Sequence, residues 1–238
     1  MNPTFLLGGE LEVRRLGFGA MRIVADPEEG KRVLRRAVEL GVTLIDTADI
    51  YGAGRSEEII AEALHPYPEG LVIATKGGLG WGLQKRIRDG RPEHLRQACD
   101  DSLRRLKLER IDLYQLHRHD PEVPIEESVG ALEELRREGK IRLIGLSNVS
   151  TSQLRAAQAV TRIVSVQNEY NRGLLIAEEV LAACEAEGIA FLPWTPLGEG
   201  MGPPEREIRW LLDRSPVILP IPGTSKVEHL EENMRAVA

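Results

Sequence analysis

After a short hairpin, eight brief apolar runs alternate with eight helical stretches, and this alternation constrains the fold more than any other feature of the chain. Thr4–Leu7 and Leu11–Arg14 flank Gly8-Gly9-Glu10 and alternate apolar with polar residues, the pattern of a β-hairpin. Strands are then expected at 15–19, 42–45, 71–75, 111–115, 143–145, 164–167, 189–193 and 217–219. Helices are expected at 27–40, 56–64, 92–106, 125–138, 151–160, 177–187, 205–213 and 227–237. Local punctuation agrees. Asp26 is a helix N-cap with Pro27 at the first helical position, and Gly41, Gly139 and Gly188 follow helix ends. Short apolar runs are what parallel strands look like when helices cover both faces. The expected fold class is α/β, a (β/α)8 TIM barrel with an N-terminal β-hairpin, formed by residues 1–238 as one domain. An open doubly wound sheet would carry a Gly-rich fingerprint after its first strand. Gly17-Phe18-Gly19-Ala20-Met21-Arg22 supplies only the first two glycines, and no capped helix opens there.

Composition narrows the function classes. The net charge of -6 argues against a nucleic-acid or anionic-membrane surface. No apolar run is long enough to span a bilayer, and Met1-Asn2-Pro3-Thr4-Phe5 lacks the basic start of a signal peptide. The two cysteines, Cys99 and Cys184, both fall in expected helices, which fits a reducing cytoplasm better than a disulfide framework. The oligomeric state is not legible, because no helix carries a surplus apolar face.

Three successive strands deliver titratable groups at their C-terminal ends, where a parallel barrel builds its active site. They are Asp46 and Tyr51, then Lys76, then His117. A phenol with its ordinary pKa of about 10 donates poorly to an alkoxide at neutral pH. Bringing it to about 7 requires roughly 4 kcal/mol of phenolate stabilisation. An ammonium about 4 Å away supplies that order at an effective dielectric near 20. Lys76 is the candidate ammonium, Asp46 can pair with it, and His117 can orient a carbonyl oxygen or shuttle the proton. Such a set suits the reduction of a carbonyl. Taken singly, each residue has an ordinary reading: a packed tyrosine, a surface lysine, an Asp-Thr turn.

These residues carry a family resemblance. Gly41-Val42-Thr43-Leu44-Ile45-Asp46-Thr47-Ala48-Asp49-Ile50-Tyr51-Gly52 resembles the signature segment of the aldo-keto reductases. Ser56-Glu57-Glu58, Ala74-Thr75-Lys76, Asp112-Leu113-Tyr114-Gln115-Leu116-His117 and Gly145-Leu146-Ser147-Asn148 are similar to that family's later blocks. The resemblance implies a barrel that binds NADPH without a Rossmann domain and reduces a small-molecule aldehyde or ketone. It implies catalytic roles for Asp46, Tyr51, Lys76 and His117, with Tyr51 as general acid. It also implies that Ser147, Asn148 and Gln167 hydrogen-bond the nicotinamide carboxamide. All three carry amides or hydroxyls at strand C-termini; the alternative role for Ser147 or Asn148 is helix capping. Trp194 sits where the family usually stacks an aromatic on the nicotinamide. Gly223, Thr224, Ser225 and Lys226 lead into the last helix, and backbone N–H groups plus a lysine there suit a 2′-phosphate. Glu232 and Asn233 are the implied adenine contacts. His229 stands where many members have an arginine, which leaves NADH possible beside NADPH.

Two connections look short for that family. Met21-Arg22-Ile23 runs almost directly into Asp26-Pro27, and Leu197-Gly198-Glu199-Gly200 reaches Arg209-Trp210 within a few residues. Short top-face loops imply weaker cofactor closure and substrate grip. They motivate an alternative, a cofactor-binding regulatory barrel with little or no turnover. A metal-dependent hydrolase using His117, His119 and Asp120 would need a second ligand cluster on another strand, and the sequence supplies none.

Overall fold

A computed structural model describes residues 3–81, 86–198 and 202–237. Met1, Asn2 and the Glu199-Gly200 part of the second short loop lie outside the described residues. The hairpin forms where expected: β1 (Thr4–Leu7) pairs antiparallel with β2 (Leu11–Arg14), Phe5 opposite Val13. Its buried residues Leu7 and Val13 join an apolar cluster with Leu44, Val72, Leu113, Leu143 and Leu219. The hairpin therefore plugs the N-terminal end of a ring of strands, and functional groups are left to the opposite end.

The chain continues through β3 (Phe18–Gly19), β4 (Leu44–Asp46) and β5 (Val72–Gly77). A small antiparallel pair follows, β6 (Leu79–Trp81) with β7 (Arg86–Arg88), which the apolar pattern did not anticipate. Then come β8 (Ile111–Leu116), β9 (Ile141–Ser147), β10 (Ser165–Gln167) and β11 (Ala190–Phe191). Strands β3, β4, β5, β8, β9, β10 and β11 form one parallel sheet in that spatial order. The helices are α1 (Pro27–Glu39), α2 (Arg55–Leu64), α3 (Pro92–Leu106), α4 (Ile125–Arg137), α5 (Thr151–Gln158), α6 (Glu178–Glu187), α7 (Pro204–Arg214) and α8 (Val227–Met234). The expected caps hold: Asp26 accepts from the Glu29 N–H, and Gly188 ends α6 in the left-handed region.

The eighth strand needs correction. Val217–Leu219 forms a single parallel bridge, Ile218 with Phe191, rather than a full strand. The backbone nevertheless closes the ring. The Phe191 N–H donates to the Val217 carbonyl at 2.8 Å, and the Leu219 N–H returns to Phe191 at 2.8 Å. On the other side the Gly17 and Gly19 N–H groups donate to Pro220 and Pro222 at 2.9 and 3.3 Å. Prolines have no N–H, so 220–222 accepts from its neighbour without donating back. This one-sided pairing also explains why β3 covers only the last two of the five residues expected.

Arg15, expected to open the first strand, does different work. It is buried, and its guanidinium donates to the carbonyls of Leu212 (2.9 Å), Ser215 (2.6 Å) and Ile218 (3.2 Å). It ties the end of α7 to the closing segment. Replacing it by an apolar side chain orphans buried carbonyls, so Arg15→Met should cost about 3 kcal/mol of unfolding free energy in a urea titration. A change below about 0.5 kcal/mol would mean that water or relaxation satisfies them.

Candidate active site

Alternation along β4, β5 and β8 decides which side chains reach the ring's interior. Asp46 is the last residue of β4 and Lys76 is the fifth of β5, and both are buried. The Lys76 ammonium donates to Asp46 Oδ2 at 2.7 Å and to the Thr47 carbonyl at 2.7 Å, and lies 3.5 Å from the Tyr51 hydroxyl. Burial pulls the Lys76 pKa down, but the charges of Asp46 and Tyr51 outweigh it and hold the value above the usual lysine range. His117 follows β8 directly, and its ring meets the Tyr51 ring edge-on at 5.8 Å. The four expected catalytic side chains thus converge, with Tyr51 between Lys76 and His117. Tyr51 is aimed by a turn, its N–H donating to the Ala48 carbonyl at 3.1 Å, and it packs on Ala48, Ile50 and Leu79. Leu79 belongs to the unforeseen β6–β7 pair, so that pair helps to seat the phenol.

Gln115 is a site residue that the sequence reading passed over. Its Nε2 donates to Asp46 Oδ1 at 3.1 Å, beside Gln167 Nε2 at 2.8 Å. The signal was available, because Leu113 and Gln115 on β8 and His117 just past its end are spaced by two, the period of one strand face. Asp46 thereby accepts three bonds: one oxygen takes the ammonium and the other takes two amides. The Gln167 side-chain oxygen, Oε1, is left uncommitted among the described residues.

A cleft of about 190 Å³ opens over this cluster. Asp46, Tyr51, Ser147, Asn148, Gln167 and Trp194 line it, together with Gly223 and the Gly19–Arg22 segment. Lys76 and His117 are not among the lining residues, but both flank Tyr51, which is. Gly19 and Gly223 abut one another, and a Cβ on either would come within 2.7 Å of a backbone oxygen. The remaining expected cofactor residues lie outside the cleft wall. Thr224 Oγ1 accepts from the Lys226 N–H at 3.1 Å in the turn that enters α8, and Ser225 stands between them. Lys226 and His229 are exposed, and Glu232 and Asn233 follow on the same helix. Helix capping does not account for Ser147 or Asn148. Ser150 caps α5 and forms a reciprocal capping box with Gln153. Of the residues considered for a metal, His119 Nδ1 lies 3.1 Å from Gln153 Nε2, and Asp120 accepts from the Gly90 and Glu122 N–H groups.

Behind the cluster, Asp49 is an acid under strain. Its Oδ1 is sealed from solvent without a hydrogen-bond partner. Burial and the nearby Glu57 push its pKa up to about 7, against a partial pull from Arg105. A carboxyl raised from about 3.9 in the unfolded chain holds a native proton that the unfolded state has lost, so stability falls as pH rises between these values. Asp49→Asn should therefore add about 2 kcal/mol at pH 8, discounted for partial exposure, and much less at pH 5. Equal stabilities at pH 8 would contradict this environment.

The sequence profile of the Aldo/keto reductase family matches residues 15–207. An uncharacterized oxidoreductase of Schizosaccharomyces pombe is 43% identical over 254 residues, covering 96% of this chain and 83% of that protein. Pyridoxine 4-dehydrogenase of Escherichia coli is 39% identical over 264 residues, covering 98% of this chain and 92% of the relative. Both alignments run longer than the 238 residues of this chain, so the relatives carry residues opposite gaps here. The glycerol dehydrogenase of Gluconobacter oxydans superposes with a TM-score of 0.94 at 28% identity, covering 100% of this chain and 91% of that one. An aldo-keto reductase from Klebsiella pneumoniae, solved with NADP and acetate, gives 0.84 at 25% identity, covering 100% and 90%.

Proposed function

The chain belongs to the aldo/keto reductase family, and from that premise we propose that it is an NADPH-dependent oxidoreductase that reduces an aldehyde or ketone to an alcohol. The observation that carries this reading is the buried Lys76 ammonium, paired with Asp46 and 3.5 Å from the Tyr51 hydroxyl. A positive charge at that distance favours the phenolate, so Tyr51 gives its proton more readily to a developing alkoxide. His117, on the other flank of the phenol, orients the carbonyl oxygen toward that proton. Asp46 keeps Lys76 charged and fixed.

The cleft residues fit a nicotinamide. The Ser147 hydroxyl can donate to a carboxamide oxygen, the uncommitted Gln167 Oε1 can accept from its amino group, and Trp194 offers an aromatic wall. Bound there, the nicotinamide would supply the hydride. Pockets for drug-sized ligands enclose about 300–1,000 Å³. At 190 Å³ this cleft takes the reactive end of a dinucleotide, and the remainder would lie past Gly223 toward Ser225, Lys226 and His229, with Glu232 and Asn233 at the adenine end. The mutual contact of Gly19 and Gly223 keeps that path free of side chains. NADH is the alternative cofactor, since His229 offers a weaker anion contact than an arginine would. We assign the enzyme to a reducing compartment such as the cytoplasm, with Cys99 and Cys184 as buried free thiols.

The gaps opposite the relatives support a second reading, a barrel that holds the cofactor with little turnover. Titration with NADPH and with NADH, followed by a panel of aldehydes and ketones, tests both. Binding with turnover supports the reductase, binding without turnover supports the second reading, and no binding of either nucleotide removes both.

A further inference from the structure

Asp49 ties the turn that carries Tyr51 to the sheet. Its backbone N–H donates to the Lys76 carbonyl at 3.2 Å, and Tyr51, two residues on, closes the turn onto the Ala48 carbonyl at 3.1 Å. The charged groups that act on its carboxyl are Glu57 on α2, Arg105 on α3 and Lys76 on β5, and the carboxyl in turn acts on the Tyr114 hydroxyl of β8. None of these four side chains bonds to it among the described residues. One Glu57 oxygen accepts from the Thr75 hydroxyl at 2.6 Å and the other from Arg105 Nε at 2.6 Å. Lys76 is committed to Asp46 and the Thr47 carbonyl. The Tyr114 hydroxyl is sealed without a partner over Gly77, where a Cβ would collide with it. Lys76 and Arg105 are thus already matched by Asp46 and Glu57, and an ionised Asp49 is a carboxylate in excess.

We propose that Asp49 is a positioning residue that acts on Tyr51 through Lys76: neutral, it leaves the ammonium's field to the phenol, and ionised, it competes for that field and makes Tyr51 give up its proton less readily. This deepens the reductase reading above and rests on it for the kinetic consequence, but not for the electrostatic link. An added anion beside a charge pair weakens the pull of its cation on any third group. Burial and Glu57 push the Asp49 pKa up to about 7, against weaker opposite pulls from Arg105, the Ile50 N–H and Lys76. The residue is only partly buried, so its proton can exchange with water. Carbonyl reduction should therefore be fastest below about pH 7, where Asp49 is neutral, and slower above it.

The test compares the full wild-type chain with Asp49→Asn, which has the same shape and is neutral at every pH. With saturating NADPH, kcat/KM for an aldehyde should fall roughly tenfold in the wild type between about pH 6 and pH 8, the equivalent of one pKa unit. In Asp49→Asn the value at pH 6 should match the wild type and persist to pH 8. A purely structural role would lower kcat/KM by one factor at every pH, and a step that survives in Asp49→Asn would belong to another group; either result overturns the proposal. A second measurement needs no nucleotide. With ¹³C at the tyrosine Cζ atoms, the Tyr51 resonance is assigned by its loss in Tyr51→Phe. Its shift should pass through an inflection at about pH 7 in the wild type that Asp49→Asn lacks. Identical titrations in the two proteins would sink the electrostatic link. If no carbonyl is reduced at any pH, the reductase reading fails while the Cζ titration still decides whether Asp49 acts on Tyr51.

Discussion

Tyr51→Phe is expected to lower kcat/KM for carbonyl reduction by about a thousandfold, the middle-to-upper range for loss of a general acid. The variant removes one oxygen. The ring still packs on Ala48, Ile50 and Leu79 and still meets His117 edge-on, so the cleft keeps its shape. Lys76 keeps both of its 2.7 Å bonds, to Asp46 and to the Thr47 carbonyl. NADPH binding should therefore change by less than about twofold, because the hydroxyl acts on the developing alkoxide rather than on the bound nucleotide. The loss should fall on kcat. Turnover in the variant within tenfold of wild type would move the proton donor elsewhere, with His117 the nearest alternative.

Lys76→Met should be the more damaging change, because it affects folding and chemistry together. Methionine nearly preserves the buried volume but leaves the Asp46 carboxylate in the interior without its counter-charge. Breaking a buried pair from one side costs about 3–5 kcal/mol. Gln115 and Gln167 still donate to Asp46 Oδ1, which places the expected loss at the lower end of that range. Activity should fall by at least about a hundredfold, since the phenol loses the charge that favours its ionised form. The pH dependence separates the two roles. The native pKa of Lys76 is held above the usual range, so its contribution to stability is complete below about pH 10.4, the unfolded value. That contribution is lost as pH rises through the native value. The wild type should lose its advantage over Lys76→Met only in strongly alkaline solution. A variant as stable as wild type at pH 7 would mean that Asp46 takes up a proton at little cost when Lys76 is gone.

The barrel was legible because its signals are local. Seven of the eight expected strands are apolar runs that end up in one parallel sheet, and a helix such as α1 is opened by its own cap and proline, Asp26 and Pro27. The eighth was misread because Val217-Ile218-Leu219 has the composition of a strand, while the deciding fact lies in Pro220 and Pro222, which remove donors from the neighbouring ladder. The β6–β7 pair was missed because Leu79–Trp81 and Arg86–Arg88 are short, with no continuous apolar pattern. In the site, Asp46, Tyr51, Lys76 and His117 were legible because strand ends collect at one face of a barrel. Gln115 was not singled out, since a glutamine inside a strand announces nothing until its inward face is counted against Leu113 and His117. The hydrogen bonds that Asn148 makes to the His117 carbonyl and accepts from Trp194 Nε1 were beyond sequence reasoning, because these partners lie 31 and 46 residues away along the chain.

The most direct test of the central claim is a single-turnover reaction of the wild-type protein with NADPH deuterated at the transferable C4 position and an aldehyde in excess. Mass analysis of the alcohol should find one deuterium at the carbinol carbon, as hydride delivery from a nicotinamide seated over Tyr51 requires. Bound nucleotide with no deuterated alcohol, across a panel of aldehydes and ketones, would contradict the assignment of this cleft as a carbonyl-reducing site.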